Sequence, residues 1–139
     1  MKYELIKHYS LAKIQKAVNE NDTDKLLLMV LSVALYSDDY EYAGNFCVQF
    51  SNHEHFNVRG NAIQGFGNIA RIHGKLNEEK IKPIIKKALR DKNEVVRGNA
   101  IDAKDDAKTF LKWKFNKQNG TSKNRNYRRQ RFISDAGID

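Results

Sequence analysis

The hexapeptide VRGNAI occurs twice in this chain, at residues 58–63 and again at residues 96–101. The two copies are separated by 96 − 58 = 38 residues. Six identical residues at one offset are improbable by chance, and a period of about 20–50 residues is typical of stacked structural repeats. The repetition therefore indicates that both copies do the same structural job in a repeated unit.

Helical periodicity dominates the chain, and strand signals are nearly absent. Leu11 and Ile14, for example, are spaced to share the buried face of one helix. Asp38, followed by Glu41, has the pattern of a helix cap, whereas Pro83 predicts a kink or a short irregular turn. The pattern predicts six helices, over residues 11–20, 24–37, 39–51, 57–73, 78–90 and 94–112.

The 38-residue offset leaves room for two helices and a turn. Short connections make consecutive helices antiparallel neighbours, and such a pair buries its apolar face by stacking on the next pair. Within VRGNAI, the Val, Ala and Ile side chains fall on one side of a helix, and the glycine lets a neighbouring helix approach closely. We expect the arginine, beside the turn, to reach a carboxylate or a free carbonyl in the adjacent turn.

The stretch DKNEVVRGNAI at residues 91–101 resembles the start of a HEAT-like repeat, in which an Asp-x-Asn turn precedes Val-Arg-x-x-Ala. The copy at 53–70 departs from this pattern because His53 and His55 occupy the acidic turn positions. The resemblance covers residues 53–112. It implies an all-α fold, a short right-handed α-solenoid of antiparallel HEAT-like helix pairs with about six helices. Folds of this kind serve mainly as binding scaffolds, so the resemblance indicates little about chemistry.

The net charge of +8 is concentrated near the C-terminal end of the sequence. Residues 1–110 hold 17 Lys/Arg and 15 Asp/Glu, whereas residues 111–139 hold 8 Lys/Arg and 2 Asp. The helical pattern ends at Trp113, and the chain after it is polar, basic and without periodicity. We therefore expect a HEAT-like helical repeat domain over residues 1–113 and a flexible basic tail over residues 114–139.

Several functional classes lack their sequence signals. No phosphate-binding loop, nucleophile elbow or zinc-protease motif is present, so the chain is predicted to be non-enzymatic and to need no cofactor. His53, Glu54 and His55 have no further matched ligand nearby, and we interpret them as a polar turn and predict no metal site. Cys47, within NFCVQF, is expected to be a reduced core thiol. The longest apolar run is too short to span a bilayer and no signal-peptide core is present, which predicts a cytoplasmic protein without membrane contact.

Two acidic stretches are candidates for binding a protein partner. Tyrosine buries contact area while keeping a polar tip, and carboxylates complement a basic partner. The first stretch contains Tyr36, Asp38, Asp39, Tyr40, Glu41 and Tyr42. The second, on the last predicted helix, contains Asp102, Asp105 and Asp106. The alternative for the first stretch is a helix cap with solvated acids and one or two tyrosines in the core. The alternative for the second is a solvated face of the helix that caps the array.

The basic tail offers a different candidate, a nucleic-acid site. Its arginines would contact phosphates, and the aromatic residues interleaved with them would stack on bases. The candidate residues are Arg125, Arg128, Arg129 and Arg131. The same composition also fits an extension beyond the last repeat that has no binding role.

These features favour a non-catalytic protein-protein interaction module. Small solenoids of this kind resemble immunity or antitoxin proteins, which implies a protein that binds and blocks a toxic nuclease. The expected partner is then a basic toxin whose active-site cleft is covered by the acidic, tyrosine-rich surface. One alternative is a nucleic-acid-binding HEAT-like protein, and another is an assembly or chaperone scaffold. The sequence leaves the partner's identity and the oligomeric state open.

Overall fold

The structure, a computed structural model, describes residues 7–115, which form six α-helices. No strand occurs between Lys7 and Phe115, so the all-helical prediction is confirmed. The helices are α1 Leu11–Glu20, α2 Thr23–Tyr36, α3 Tyr40–Phe50, α4 Phe56–His73, α5 Glu78–Ala88 and α6 Glu94–Leu111. Each observed boundary lies within about two residues of the one that the apolar pattern predicts.

Each helix begins after a polar residue whose side chain accepts a hydrogen bond from a backbone N–H of the first turn. For α3 the cap is Asp39, not the predicted Asp38. Its Oδ1 atom accepts from the backbone N–H groups of Glu41 and Tyr42, at 3.0 and 3.2 Å, and Asp38 is exposed. The six cap residues are Ser10, Asp22, Asp39, His55, Asn77 and Asn93.

Helix α5 continues through Pro83, so the short irregular turn predicted there is wrong. Proline removes one backbone donor from the helix interior and leaves a carbonyl one turn earlier without its partner. Pro83 lies on the exposed side of α5, where water can satisfy that carbonyl. The apolar face of the same helix, with Ile81 and Ile85 buried, stabilises it against the core.

The helices pack in two layers. Helices α2, α4 and α6 lie side by side with α4 in the middle, and α1, α3 and α5 each pack against the helix that follows them. Leu26, Val30 and Ala34 of α2 and Val58 and Ala62 of α4 are fully buried. This order of contacts is the one expected of stacked helix pairs, and it makes α4 the centre of the core.

Two glycines of α4 let α6 approach closely. A Cβ atom at Gly60 would lie 2.5 Å from Asn99 Nδ2, and one at Gly67 would lie 2.5 Å from Asp106 Oδ2 and 3.3 Å from the Ala103 Cα. A side chain at either position would therefore clash with α6. The sequence expectation that the glycine of VRGNAI allows close packing holds for the first copy.

The arginine of the first VRGNAI copy joins two successive turns. Arg59, which is 8% exposed, donates from Nε and Nη2 to the Asp91 carboxylate at 2.8 and 2.9 Å. Its Nη1 group donates to the carbonyls of His53 and Glu54 at 2.9 and 3.2 Å. The hydrogen bonds from Arg59 lower the pKa of Asp91, helped by the backbone N–H of Asn93. The predicted link between turns is confirmed, with both a carboxylate and free carbonyls as acceptors.

The packed region extends slightly past the predicted domain end. Trp113 is 7% exposed and belongs to the core, and the Phe115 ring lies 6.3 Å from the Trp113 ring. Lys82 Nζ lies 5.4 Å from the centre of the Phe115 ring. The predicted boundary at residues 113 and 114 stays a prediction, and a truncation that spares this packing would follow Phe115. None of the helices between Lys7 and Phe115 is both long enough and apolar enough to cross a bilayer.

Candidate protein-binding surface

A groove of about 350 Å³ lies between α1, the end of α2 and the start of α3. Its exposed apolar residues are Leu11, Tyr36 and Tyr42, which are 70%, 46% and 36% exposed. Asp38 and Asp39 line the same groove. These five residues are called the acidic groove below. Because apolar surface and carboxylates meet in one concavity, the groove suits a side chain that is apolar along its length and cationic at its tip, such as lysine or arginine.

The backbone beneath the groove is held in place by α4. His73 lies within hydrogen-bond distance of the α2–α3 connection, with its Nε2 atom 3.1 Å from the Ser37 carbonyl oxygen. The Ser37 hydroxyl donates to the Asp39 carbonyl at 3.2 Å and accepts from the Asp39 N–H at 3.1 Å. The Tyr42 hydroxyl, like any tyrosine hydroxyl, is neutral at neutral pH and can donate a hydrogen bond, and burial raises its pKa further from that range. The α2–α3 connection, which carries Asp38 and Asp39, is therefore held by several hydrogen bonds.

The predicted 36–42 surface is divided between two sides of the molecule. Tyr36, Asp38, Asp39 and Tyr42 line the acidic groove. Tyr40 and Glu41 instead line a second groove between α3 and α5. The Tyr40 ring lies 6.5 Å from the His73 ring, and Lys75 Nζ lies 5.9 Å from the Tyr40 ring centre. Glu41 shares this second groove with Asn45 and Lys80, which are joined by a 3.0 Å hydrogen bond.

The carboxylates of α6 form a separate surface, because α6 packs on α4 and α5 and not on the helices of the groove. Asp102 and Asp105 are exposed. Asp106 is half-buried against Gly67, and burial raises its pKa, while nearby Arg71 opposes this rise. Asp106 therefore belongs to the α4–α6 packing, and only its two neighbours are well placed for a partner.

The His53–His55 cluster forms a polar turn with a defined hydrogen bond for each imidazole. The Nδ1 atom of His53 accepts from the His55 N–H at 3.0 Å, and its Nε2 atom lies 3.0 Å from Asn21 Oδ1. The Nδ1 atom of His55 accepts from the Asn57 N–H at 3.1 Å. Among residues 7–115 no group of three or more His, Cys, Asp and Glu side chains is arranged to hold a metal ion.

Cys47 is fully buried, and burial raises the pKa of its thiol to about 12. Its Sγ atom lies 2.6 Å from the position that a Cβ atom would take at Gly65. A thiol in such a setting is protonated and inaccessible, and therefore inert. The prediction of a core thiol is confirmed.

Sequence reasoning missed Leu11, the most exposed large apolar residue of the described region. Its spacing from Ile14 predicts a place in the core, but Leu11 is the first residue of α1 and lies at the mouth of the groove. Helical spacing does not reveal where a helix extends beyond its neighbour, so the sequence alone offers no signal for this exposure. The candidate nucleic-acid residues Arg125, Arg128, Arg129 and Arg131 lie outside the described residues.

No protein-family model and no curated protein matches this chain. A similar chain occurs among solved structures, in the "Crystal structure of CDI complex from Cupriavidus taiwanensis LMG 19424". The TM-score is 0.68 at 23% sequence identity, and the match covers 79% of this chain and 97% of that chain. At this level of identity the likeness shows a shared fold.

Proposed function

We propose that this protein is a non-catalytic binding module, specifically an immunity protein that binds and blocks a toxic nuclease through the acidic groove. The observation that carries the proposal is the groove itself, where three exposed apolar side chains and two carboxylates converge. Exposed aromatic residues beside charges are typical of protein-binding surfaces. A nuclease binds a polyanion, so its active-site cleft carries the positive charge that such a groove complements.

The mechanism requires no chemistry from this chain. Lysine or arginine side chains of the toxin would lay their aliphatic stems on Leu11 and Tyr36 and their cationic ends near Asp38 and Asp39. Complementary charge would speed the encounter, and burial of the tyrosines would slow dissociation. With those cations occupied, the toxin's cleft could no longer hold RNA or DNA phosphates.

The comparison with solved structures supports the same direction. The similar chain was crystallised as part of a CDI complex, in which CDI denotes contact-dependent inhibition. That context suggests a toxin and its immunity protein as the bound pair. The shared fold is compatible with a binding role for the present chain. The proposed place of action is the bacterial cytoplasm, where its toxin would act.

The first test is affinity capture of the tagged protein from its source cells under nuclease treatment, followed by mass spectrometry. We expect one stoichiometric protein partner with a basic surface and with nuclease activity that the complex lacks. Adding the purified protein to the purified partner should abolish cleavage of a labelled RNA or DNA. A partner that cleaves equally well with and without this protein would contradict the proposal.

A charge-reversal variant locates the interface. Asp38→Lys leaves the α3 cap intact, because Asp39 makes the capping hydrogen bonds, and it places a repelling charge in the groove. Asp39→Asn removes the second charge and keeps a side chain that can cap. We expect Asp38→Lys to weaken the complex by about tenfold or more in low salt, since tenfold corresponds to about 1.4 kcal/mol. The matched control is Glu54→Lys, an exposed carboxylate in the α3–α4 turn away from the groove. Equal affinity for both variants in low salt would rule the groove out.

The alternative, nucleic-acid binding through the tail, makes a distinct prediction in the same experiments. Everything captured would then disappear on nuclease treatment. A chain cut after Phe115, which keeps the Trp113–Phe115 packing, would lose all binding to labelled RNA and DNA measured by fluorescence anisotropy. Loss of nucleic-acid binding without a protein partner would replace the immunity proposal by this one.

A further inference from the structure

Helix α6 is the last helix of the described region, and one of its faces has no neighbour there. A Cβ atom at Gly98 would meet no other atom of residues 7–115 within 4 Å, whereas one at its counterpart, Gly60, would lie 2.5 Å from Asn99 Nδ2. Ile101, on the same face of α6, is 46% exposed. The surface that receives the next helix on α4 is therefore open on α6 in the described part of the chain.

The charges along this open face form a palindrome of opposite signs. With Ile101 as the centre, Arg97 and Asp105 lie four residues to either side, and Glu94 and Lys108 lie seven residues to either side. At about 100° per residue, all five residues fall within a stripe about 80° wide. Arg97 is half-buried and the other four are exposed. These five residues are called the α6 stripe below.

The four charged side chains of the α6 stripe form no ion pair among residues 7–115. Arg97 donates from Nη1 to the Asp91 carbonyl at 2.7 Å, and that acceptor carries no net charge. The α6 stripe therefore offers a partner two cations and two anions, arranged around one apolar side chain.

A palindrome of opposite signs is complementary to its own reversed copy. If a second α6 runs antiparallel to the first with Ile101 facing Ile101, each Arg97 lies opposite an Asp105 and each Glu94 lies opposite a Lys108. Four ion pairs then join the two copies. Gly98, next to Arg97, has no side chain and leaves room for the Asp105 carboxylate of the second copy. Such a pair has a two-fold axis, so the interface is closed and generates no further binding face.

Other placements of a second copy use fewer of these charges. Parallel copies would set every charge of the α6 stripe against its own counterpart, and like charges in contact are unfavourable. End-to-end stacking would bring α2 of the next copy to the stripe. Of the two carboxylates before α2, Glu20 binds Lys25 at 2.9 Å and Asp22 accepts from the Lys25 N–H at 3.2 Å, so both already have partners. Asp102 lies about 100° around the helix from Ile101, where an antiparallel pair leaves it in water.

We propose that two copies of this chain form a dimer through the α6 stripe, with the two α6 helices antiparallel about a two-fold axis at Ile101. One helix per copy buries less than the roughly 1,200 Å² of a stable interface, so this dimer dissociates on dilution. The acidic groove lies on α1, α2 and α3, and α6 packs on α4 and α5, so the groove stays open in each copy. Dimer formation does not depend on the proposed function.

Reversal of single charges tests the pairing. Sedimentation equilibrium of the full chain over a range of concentrations measures the dimer, and circular dichroism checks that each variant folds. Arg97→Asp alone and Asp105→Arg alone each set like charges opposite each other, so each should weaken the dimer by about tenfold or more. An equimolar mixture of these two variants should regain the dimer, because each reversed residue then meets its opposite. The matched control is Arg90→Asp, which reverses an exposed arginine outside the stripe and should leave the dimer unchanged.

A cysteine at the two-fold axis tests the register. Ile101→Cys places a thiol opposite its own copy, so mild oxidation should convert the chain to a disulfide-linked dimer on a non-reducing gel. The matched control is Val95→Cys, since Val95 is also 46% exposed on α6 but lies about 120° around the helix from Ile101. The native Cys47 is fully buried and does not interfere.

Several outcomes would overturn the dimer. These are a full chain that stays monomeric at its highest soluble concentration, equal crosslinking of the two cysteine variants, and a mixture of the charge variants that stays monomeric. Growth beyond the dimer with rising concentration would indicate end-to-end stacking and would also overturn it. Asp38→Lys should not alter the dimer, and Arg97→Asp should not alter the affinity for a toxin. Failure of the dimer and failure of the proposed function are therefore distinguishable.

Discussion

The two VRGNAI copies have the same six residues and the same helical start but different surroundings. In the first, Arg59 is 8% exposed and binds a carboxylate and two carbonyls, and Gly60 lies beneath Asn99. In the second, Arg97 is half-buried and binds one carbonyl, and no atom of residues 7–115 lies over Gly98. Among the described residues, a following helix, α6, packs against the first copy, and no following helix packs against the second.

The two copies share a local hydrogen bond but differ in the ion pair that packing adds. Both arginines donate from Nη1 to the carbonyl six residues earlier, Arg59 to His53 and Arg97 to Asp91. This contact depends only on the turn and the helix start, so identical sequence reproduces it. The bidentate pair with Asp91 depends on a following repeat, which the second copy lacks among the described residues. Identical residues therefore contribute unequal amounts to stability.

The largest expected effect is the loss of the Arg59 side chain. Arg59→Ala leaves the half-buried Asp91 carboxylate with the Asn93 N–H but without its charged partner, and the loss of charge-assisted hydrogen bonds of this kind costs about 3 kcal/mol. Arg97→Ala removes a hydrogen bond to one carbonyl and should cost about 1 kcal/mol. Urea denaturation at neutral pH measures both free energies of unfolding. Equal losses would show that the pair with Asp91 contributes little and that the two copies are energetically alike.

Asp91→Asn tests the same pair from its other side. The amide keeps the shape of the side chain but loses its charge. We therefore expect the free energy of unfolding to fall by about 2 kcal/mol at neutral pH. The folded-state pKa of Asp91 is lowered, so its contribution is present above the ordinary aspartate range and is lost as the pH falls through that lowered value. The difference in free energy of unfolding between the wild type and Asp91→Asn should therefore decrease as the pH is lowered. If this difference in free energy stayed constant down to strongly acidic pH, the ionised carboxylate would not be the group that stabilises the fold.

Alanine at the two equivalent glycines should shift stability in opposite directions. Gly98→Ala places a methyl group where no other atom of residues 7–115 lies within 4 Å, and it gains helix propensity, worth about 1 kcal/mol. Gly60→Ala gains the same propensity but pushes against Asn99, and overpacking costs about 1–3 kcal/mol. We expect a net loss of about 1 kcal/mol for Gly60→Ala. Thermal and urea denaturation of the two variants in parallel measure the difference. Increased stability at both sites would show that the Asn99 side chain moves aside without a loss of stability.

The sequence predicts this fold well because helix boundaries depend on nearby residues. Caps and apolar periodicity predict all six helices, and the repeat predicts the link that Arg59 makes. The two errors arise where the local sequence leaves more than one structure open. Asp38 and Asp39 both have the chemistry of a cap, and only the backbone path of the α2–α3 connection selects Asp39. Pro83 is tolerated because it faces solvent, which depends on how α5 is oriented on the core.

The candidate surfaces are less predictable because they depend on how helices are arranged. The 36–42 stretch is continuous in sequence, but successive residues of a helix point in different directions, so Tyr40 and Glu41 turn away from Tyr36 and Tyr42. Leu11 lines the groove although it is far in sequence from the other residues of the groove, and no local pattern predicts that contact. Whether the arginine-rich tail has a role stays a prediction, since its residues lie outside the described region.

The smallest expected effect concerns the residues that cap the two helices bearing VRGNAI. His55 and Asn93 correspond at the offset of 38 residues, and each accepts a backbone N–H, His55 through Nδ1 at 3.1 Å and Asn93 through Oδ1 at 2.8 Å. Asparagine is among the strongest helix caps, so His55→Asn should stabilise the fold by about 0.5–1 kcal/mol at neutral pH, less whatever the stacking of His55 on Phe56 contributes.

The reciprocal exchange identifies the cause of that gain. Asn93→His replaces the stronger cap of the second copy by the weaker one, so it should lose about as much stability as His55→Asn gains. Urea denaturation of both variants at neutral pH measures the two changes in the free energy of unfolding. If His55→Asn is no more stable than the wild type, the start of α4 is held by its backbone and by the contact between His55 and Phe56, and the two turns are more alike than their side chains suggest.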